Sequence, residues 1–108
     1  MGSNYIIADK KTDDTNMIRI KKIVFDVLKP HRPTGLEFAS AVAEKCPGSV
    51  VNLNVEAVDQ NTESVLLRVE GESLDFDNIS NTILEMGGSI HSVDEVEVIH
   101  LPDAGAEE

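Results

Sequence analysis

The feature that most constrains this chain is a hydrophobic period that changes, and changes again in the same order. Apolar residues alternate with polar ones, then recur at helical spacing, then alternate, and the pattern repeats in the second half. From Arg19 to Leu28, Ile23, Phe25 and Val27 take one side of a predicted strand. Val24, Asp26 and Leu28 take the other. Pro30 and Pro33 stop the run, since neither donates to a ladder. Thr34 and Glu37 have the spacing of a capping box, and Leu36, Phe38, Ala39, Val42, Ala43 and Cys46 follow at helical spacing as far as Pro47-Gly48.

The second half repeats the theme with a hairpin first. Val50 to Val58 alternates, Asp59-Gln60-Asn61-Thr62 reads as a turn, and Val65, Leu67 and Val69 alternate with Leu66, Arg68 and Glu70. Asp75 suits the N-cap of a second helix, with Leu74 and Ile79 as its hydrophobic staple. Phe76, Ile79, Ile83 and Met86 form its apolar stripe, and Gly87 suits the left-handed position beyond its end. A last strand is predicted from about Ser89 to His100, with room for a bulge. Strand, helix, strand, strand, helix, strand, with right-handed crossovers, gives a four-stranded antiparallel sheet with both helices on one face. This is the ferredoxin-like α+β arrangement, in spatial order fourth, first, third, second. The domain is expected over residues 17–100. Residues 1–16 read as a polar, disordered N-terminal tail, and residues 101–108 as a short acidic one.

Charge narrows the function classes. Twenty acidic residues face nine basic ones, a formal charge of −11. That balance argues against nucleic acid, whose phosphates want a basic face, and against anionic membrane surfaces. A single cysteine, Cys46, excludes an internal disulfide and any cysteine-cluster zinc site. No apolar run approaches ~18 residues, and the first residues lack a signal peptide's pattern. A cytoplasmic setting is therefore expected. The charge is also uneven: residues 1–35 hold seven basic and four acidic residues, and residues 36–108 hold two and sixteen. In the predicted topology the first and last strands are neighbours, so Arg19, Lys21 and Lys22 are expected near Glu95 and Glu97.

Several familiar sites are missing. The loop after the first strand, Lys29-Pro30-His31-Arg32-Pro33, lacks the paired cysteines of metal-chaperone domains. The central strands carry Asp26, Leu66, Arg68 and Glu70 where RNA-binding sheets carry stacking aromatics. His91 and Ser92 point to opposite faces of a strand, which disfavours a hydrolytic triad. Gly87-Gly88-Ser89 lacks the lysine and spacing of a phosphate loop, and Asp59 to Glu63 lacks the glycine and distant glutamate of an EF-hand.

The sheet face away from the helices is the surface left to explain. It combines Val24, Leu28 and Leu66 with Asp26, Glu56, Asn52, Asn54, Arg68, Glu70, Ser92 and Asp94. An open antiparallel sheet tolerates a wet face, but this mixture suits contact with another subunit. Asp26 and Asp94 fall on adjacent strands, about 5 Å apart, with Glu56 further across. Two such carboxylates repel unless something lies between them. Arg68 is one candidate, and calcium, held by oxygen ligands of Asp26, Asp94 and Glu56, is the other.

Three segments together resemble a known family. Leu28-Lys29-Pro30-His31, Leu74-Asp75-Phe76-Asp77 and Gly87-Gly88-Ser89-Ile90-His91-Ser92-Val93-Asp94-Glu95-Val96 are similar to an archaeal family of uncharacterised proteins, number 211 among the domains of unknown function. The likeness runs from about residue 18 to 98. It implies a ferredoxin-like fold, an archaeal cytosolic source and a ring-like homo-oligomer, and it supplies no catalytic residue. The stretch before Met17 departs from the family's usual short start. The functional expectation is a non-enzymatic, self-associating regulatory or cation-binding module with itself as partner. The alternatives are a small enzyme using His31 or His91 at a subunit interface, or a purely structural scaffold.

Overall fold

The computed structural model describes residues 17–102; the two predicted tails, 1–16 and most of 101–108, lie outside them. Strand β1 runs over Met17–Pro30, helix α1 over Gly35–Lys45, β2 over Val50–Val58, β3 over Thr62–Glu70, α2 over Phe76–Glu85 and β4 over Ser89–Leu101. The sheet order is β2-β3-β1-β4, antiparallel throughout. This is the ferredoxin-like order that the two alternations imply.

Local chemistry sets the element ends. The Thr34 side chain accepts from the Glu37 amide at 3.2 Å and the Thr34 amide donates to the Glu37 carboxylate at 2.9 Å, so α1 begins in a reciprocal capping box. Asp75 accepts from the Asn78 amide at 3.1 Å to open α2. Gly87 follows α2 with φ +89°, a left-handed position that suits glycine.

The core lies between the helices and one sheet face. Ile23, Phe25 and Val27 of β1 and Val65, Leu67 and Val69 of β3 are fully buried against Phe38, Val42, Ile79 and Ile83. Those two strands are central and covered, so they bury one residue in two. Strand β4 needs a correction to simple alternation. It meets β1 with extra residues at His91 and Asp94, where the register shifts. Each bulge adds one residue and rephases the strand. As a result Ile90, Val93 and Val96, spaced by three, stand opposite Val27, Phe25 and Ile23 on the helix side.

The strands outrun the helices. A ten-residue α2 covers about 15 Å, whereas β4, with 13 residues, spans about 43 Å. Residues Met17 to Ile20 pair with Val98 to Leu101 alone, as a two-stranded arm beyond the end of β3. At the opposite end the β2–β3 hairpin turns at Asp59–Asn61.

Candidate functional site

The three carboxylates picked from the sequence fall on β1, β2 and β4. Asp26 stands between Leu66 of β3 and Ser92 of β4. Ser92 donates to the Asp94 carboxylate at 2.6 Å, so the cross-strand neighbour of Asp26 ties Asp94 to the same locality. Glu56 occupies a bulge in β2, between the pairs Val55–Val65 and Ala57–Ser64, with β3 separating it from β1. Two strand spacings, roughly 10 Å, therefore part Glu56 from the Asp26 strand. Among the described residues no group of three histidine, cysteine or acidic side chains is gathered closely enough to hold a metal ion. Arg68 does not bridge Asp26 and Asp94; it stands opposite Val24 and Asn52, with its Nε 4.0 Å from Glu70.

Of the apolar residues expected on the open face, Leu28 is exposed and Leu66 half-buried there, whereas Val24 is covered. Val24 is 6% exposed, because long neighbours, Arg68 and Glu95, flank it on the same face. It offers little to a partner. Leu36, Val50 and Leu84 are exposed singly, and further exposed apolar side chains stand together at the two ends of the sheet that the helices do not reach. Ile18 and Val98 of the β1–β4 arm, and Val96 next to it opposite Ile23, are each about half exposed on the helix side. Val55 and Val58, more than half exposed, lie on the helix side of the β2 tip. The basic residues of β1 meet the acidic ones of β4 as expected: Lys22 lies 3.0 Å from Glu95 and 3.8 Å from Glu97. The hydrogen bond to Glu95 holds the Lys22 ammonium above its ordinary range. Lys21 turns to Glu72 at 3.0 Å.

Sequence reasoning missed one cluster. Lys29, read as the end of a strand, is fully buried on the helix side beneath Phe38, its Nζ 5.8 Å from the ring centre. It donates to the Pro30 carbonyl at 2.8 Å and to Glu63 Oε1 at 3.2 Å. The other Glu63 oxygen faces His31 Nδ1 at 3.0 Å, and His31 Nε2 faces the Gln60 carbonyl at 2.9 Å. The signal was present. Lys29 continues the inward row 23, 25, 27, and Glu63 precedes Val65 on the inward row of β3, directly opposite Lys29.

A crevice of about 450 Å³ opens between the end of α1 and the start of α2, lined by Cys46, Ser49, Leu74 and Asn78 among others. Burial pushes the Cys46 thiol up from its ordinary 9.0, which makes it a poor nucleophile at neutral pH.

The long match of the last motif and the βαββαβ order can now be set beside known proteins. The model of a family described as uncharacterised ArCR, number 211 among the domains of unknown function, matches residues 21–100. The chain belongs to this family. An uncharacterised protein of the archaeon Methanocaldococcus jannaschii, MJ0319, is similar to it, with 43% identity over 77 residues, 71% of this chain and 79% of that protein. The match to family 211 takes in the Lys29–His31–Glu63 cluster, the bulges of β4 and, of the arm, Val98 to His100 but not Met17 to Ile20. Among the described residues no helix is long and apolar enough to cross a membrane.

Proposed function

We propose that this member of family 211 is a non-enzymatic, self-assembling module whose copies join head to tail into a closed ring. The carrying observation is the pair of apolar stripes at opposite ends of the sheet: Ile18 and Val98 on the arm with Val96 beside it, and Val55 and Val58 on the β2 tip. They are different patches on the same side of the sheet. A contact between them is heterologous, and repeated heterologous contacts either close or grow into filaments. A second copy carries the same −11 but presents an apolar stripe to bury, whereas nucleic acid would meet that charge with no such stripe. A thiol held protonated in the crevice adds support to the non-enzymatic reading, and a lone free cysteine is at home in the reducing cytoplasm.

The contact is tested by Val98→Glu and Val58→Glu, which place a charge in either half of it. Each variant alone should sediment as a monomer. Mixed together, the intact arm of one and the intact tip of the other should form a one-to-one pair and no ring. Full assembly of either variant would exclude this interface.

Calcium between Asp26 and Asp94 is the second reading, supported only by Ser92, the cross-strand neighbour of Asp26, holding Asp94 in the same locality. Bound calcium stabilises the fold by mass action, about 2.7 kcal/mol at a hundred times its dissociation constant, and magnesium less, since it sheds water reluctantly. Thermal melts in EDTA and in millimolar calcium, matched for ionic strength, should differ for the wild type and differ less for Asp26→Asn. Coincident wild-type curves would exclude the site.

A further inference from the structure

His31 has an acceptor at each ring nitrogen. Glu63 Oε2 lies 3.0 Å from Nδ1 and the Gln60 carbonyl oxygen 2.9 Å from Nε2. Neither a carboxylate nor a carbonyl oxygen supplies a proton, so making both bonds requires N–H at both nitrogens. Only the imidazolium has that. The two bonds reach different elements: Glu63 belongs to β3, and Gln60 is the turn between β2 and β3. His31 itself lies in the connection from β1 to α1.

We propose that His31 is a proton-gated latch, which fastens the β2–β3 turn to the β1–α1 connection while it carries both ring protons and releases the turn when it loses one. A neutral imidazole keeps one donor and must abandon either Glu63 or Gln60. Glu63 already accepts from the buried Lys29 ammonium and is the stronger acceptor, so the Gln60 bond is the one surrendered.

The charges facing His31 set the direction. Glu63 on β3 is the anion in contact, Lys29 on β1 is the nearby cation, and Asp59 of the turn contributes through its backbone. From α1, Phe38 presents an uncharged ring over Lys29, and Glu37 is engaged with the Thr34 amide. The hydrogen bond to Glu63, then that to Gln60, hold His31 above its ordinary 6.5. The same His31 bond, then Lys29, hold Glu63 below its ordinary 4.5. A raised histidine contributes stability that is complete below 6.5 and disappears as pH rises through its folded value. A lowered carboxylate contributes above 4.5 and is lost as pH falls through its own folded value. The latch is thus closed between pH 4.5 and 6.5 and opens as pH rises through the raised folded value of His31.

Nuclear magnetic resonance of the full chain tests this without a mutation. The ring nitrogens of His31, His91 and His100 are followed from about pH 5 to about pH 9, together with exchange of the Asp59 amide, which donates to Thr62 O at 2.8 Å within the turn. His31 should titrate above 6.5 with protons on both nitrogens. Over the same range the Asp59 protection factor, corrected for base catalysis, should fall about tenfold, the change one charge-assisted hydrogen bond supports. His31→Gln should make that protection independent of pH. A His31 that titrates at or below 6.5, or a protection factor that stays flat while His31 titrates, overturns the latch.

Discussion

Truncating Lys29 to alanine should unsettle the domain far more than truncating Lys21, although both lysines make an ion pair of nearly the same length. Lys29 is fully buried and lies 3.2 Å from Glu63; Lys21 lies 3.0 Å from Glu72, which is 97% exposed. Lys29→Ala removes three buried methylenes, at ~0.8 kcal/mol each about 2.4 kcal/mol, and leaves a hole under Phe38 that raises the cost further. The Pro30 carbonyl also loses its donor, adding about 1 kcal/mol. The total, about 3–4 kcal/mol, is a large part of the roughly 5–15 kcal/mol that holds a domain folded. At about 4–8 °C per kcal/mol for a domain this size, the melting temperature should fall by at least about 12 °C. Lys21→Ala should stay within about 3 °C of wild type, as exposed pairs do. Lys29→Met separates packing from charge. It keeps most of the stem, so it should recover the larger share of the loss. Circular dichroism melts of the three variants decide the matter. Equal losses for Lys29→Ala and Lys21→Ala would refute the claim that burial, not pair distance, sets the magnitude.

Three further outcomes follow from the same structure. Gly88→Ala puts a methyl 3.0 Å from both Phe38 and Ile83 side chains and 3.2 Å from the Ile83 carbonyl, so a urea midpoint should report a loss of about 1–3 kcal/mol. Thr34→Ala breaks the capping box and should cost about 1 kcal/mol by the same measurement, with no change in its slope. Raising potassium chloride should strengthen assembly, because copies carrying −11 each repel less when screened; dissociation by salt, seen in light scattering, would mean that ion pairs rather than apolar stripes join the copies.

The fold was legible because β3, β1 from Lys22 onward and the apolar stripes of both helices keep their periods, Leu36 of α1 excepted at 79% exposed, and the caps at Thr34 and Asp75 mark where one period yields to the other. Strand β4 was legible only as a strand. Its inward residues are spaced by three, and only pairing with β1 shows that bulges at His91 and Asp94 make this work. The candidate site was harder to read for two reasons. Alternation assigns a residue to a face but not its cover, so Val24 read as exposed when Arg68 and Glu95 flank it. Strand length against helix length decides which apolar residues stay bare, and that comparison adds the arm and the β2 tip to the exposed Leu28 of the open face. Lys29 was hidden by its charge: a lysine after the apolar alternation from Ile23 to Leu28, and before Pro30, looks like a boundary, and its burial depends on Glu63, 34 residues away.

The claim that copies of this chain join arm to tip is tested most directly by the mass of the wild-type protein in solution. Sedimentation equilibrium at micromolar concentration should give one species at a multiple of 11.8 kDa beyond the dimer, since a head-to-tail contact closes only as a ring. A single species at 11.8 kDa would contradict the account, and leave the stripe of Ile18, Val96 and Val98 without the partner assigned to it.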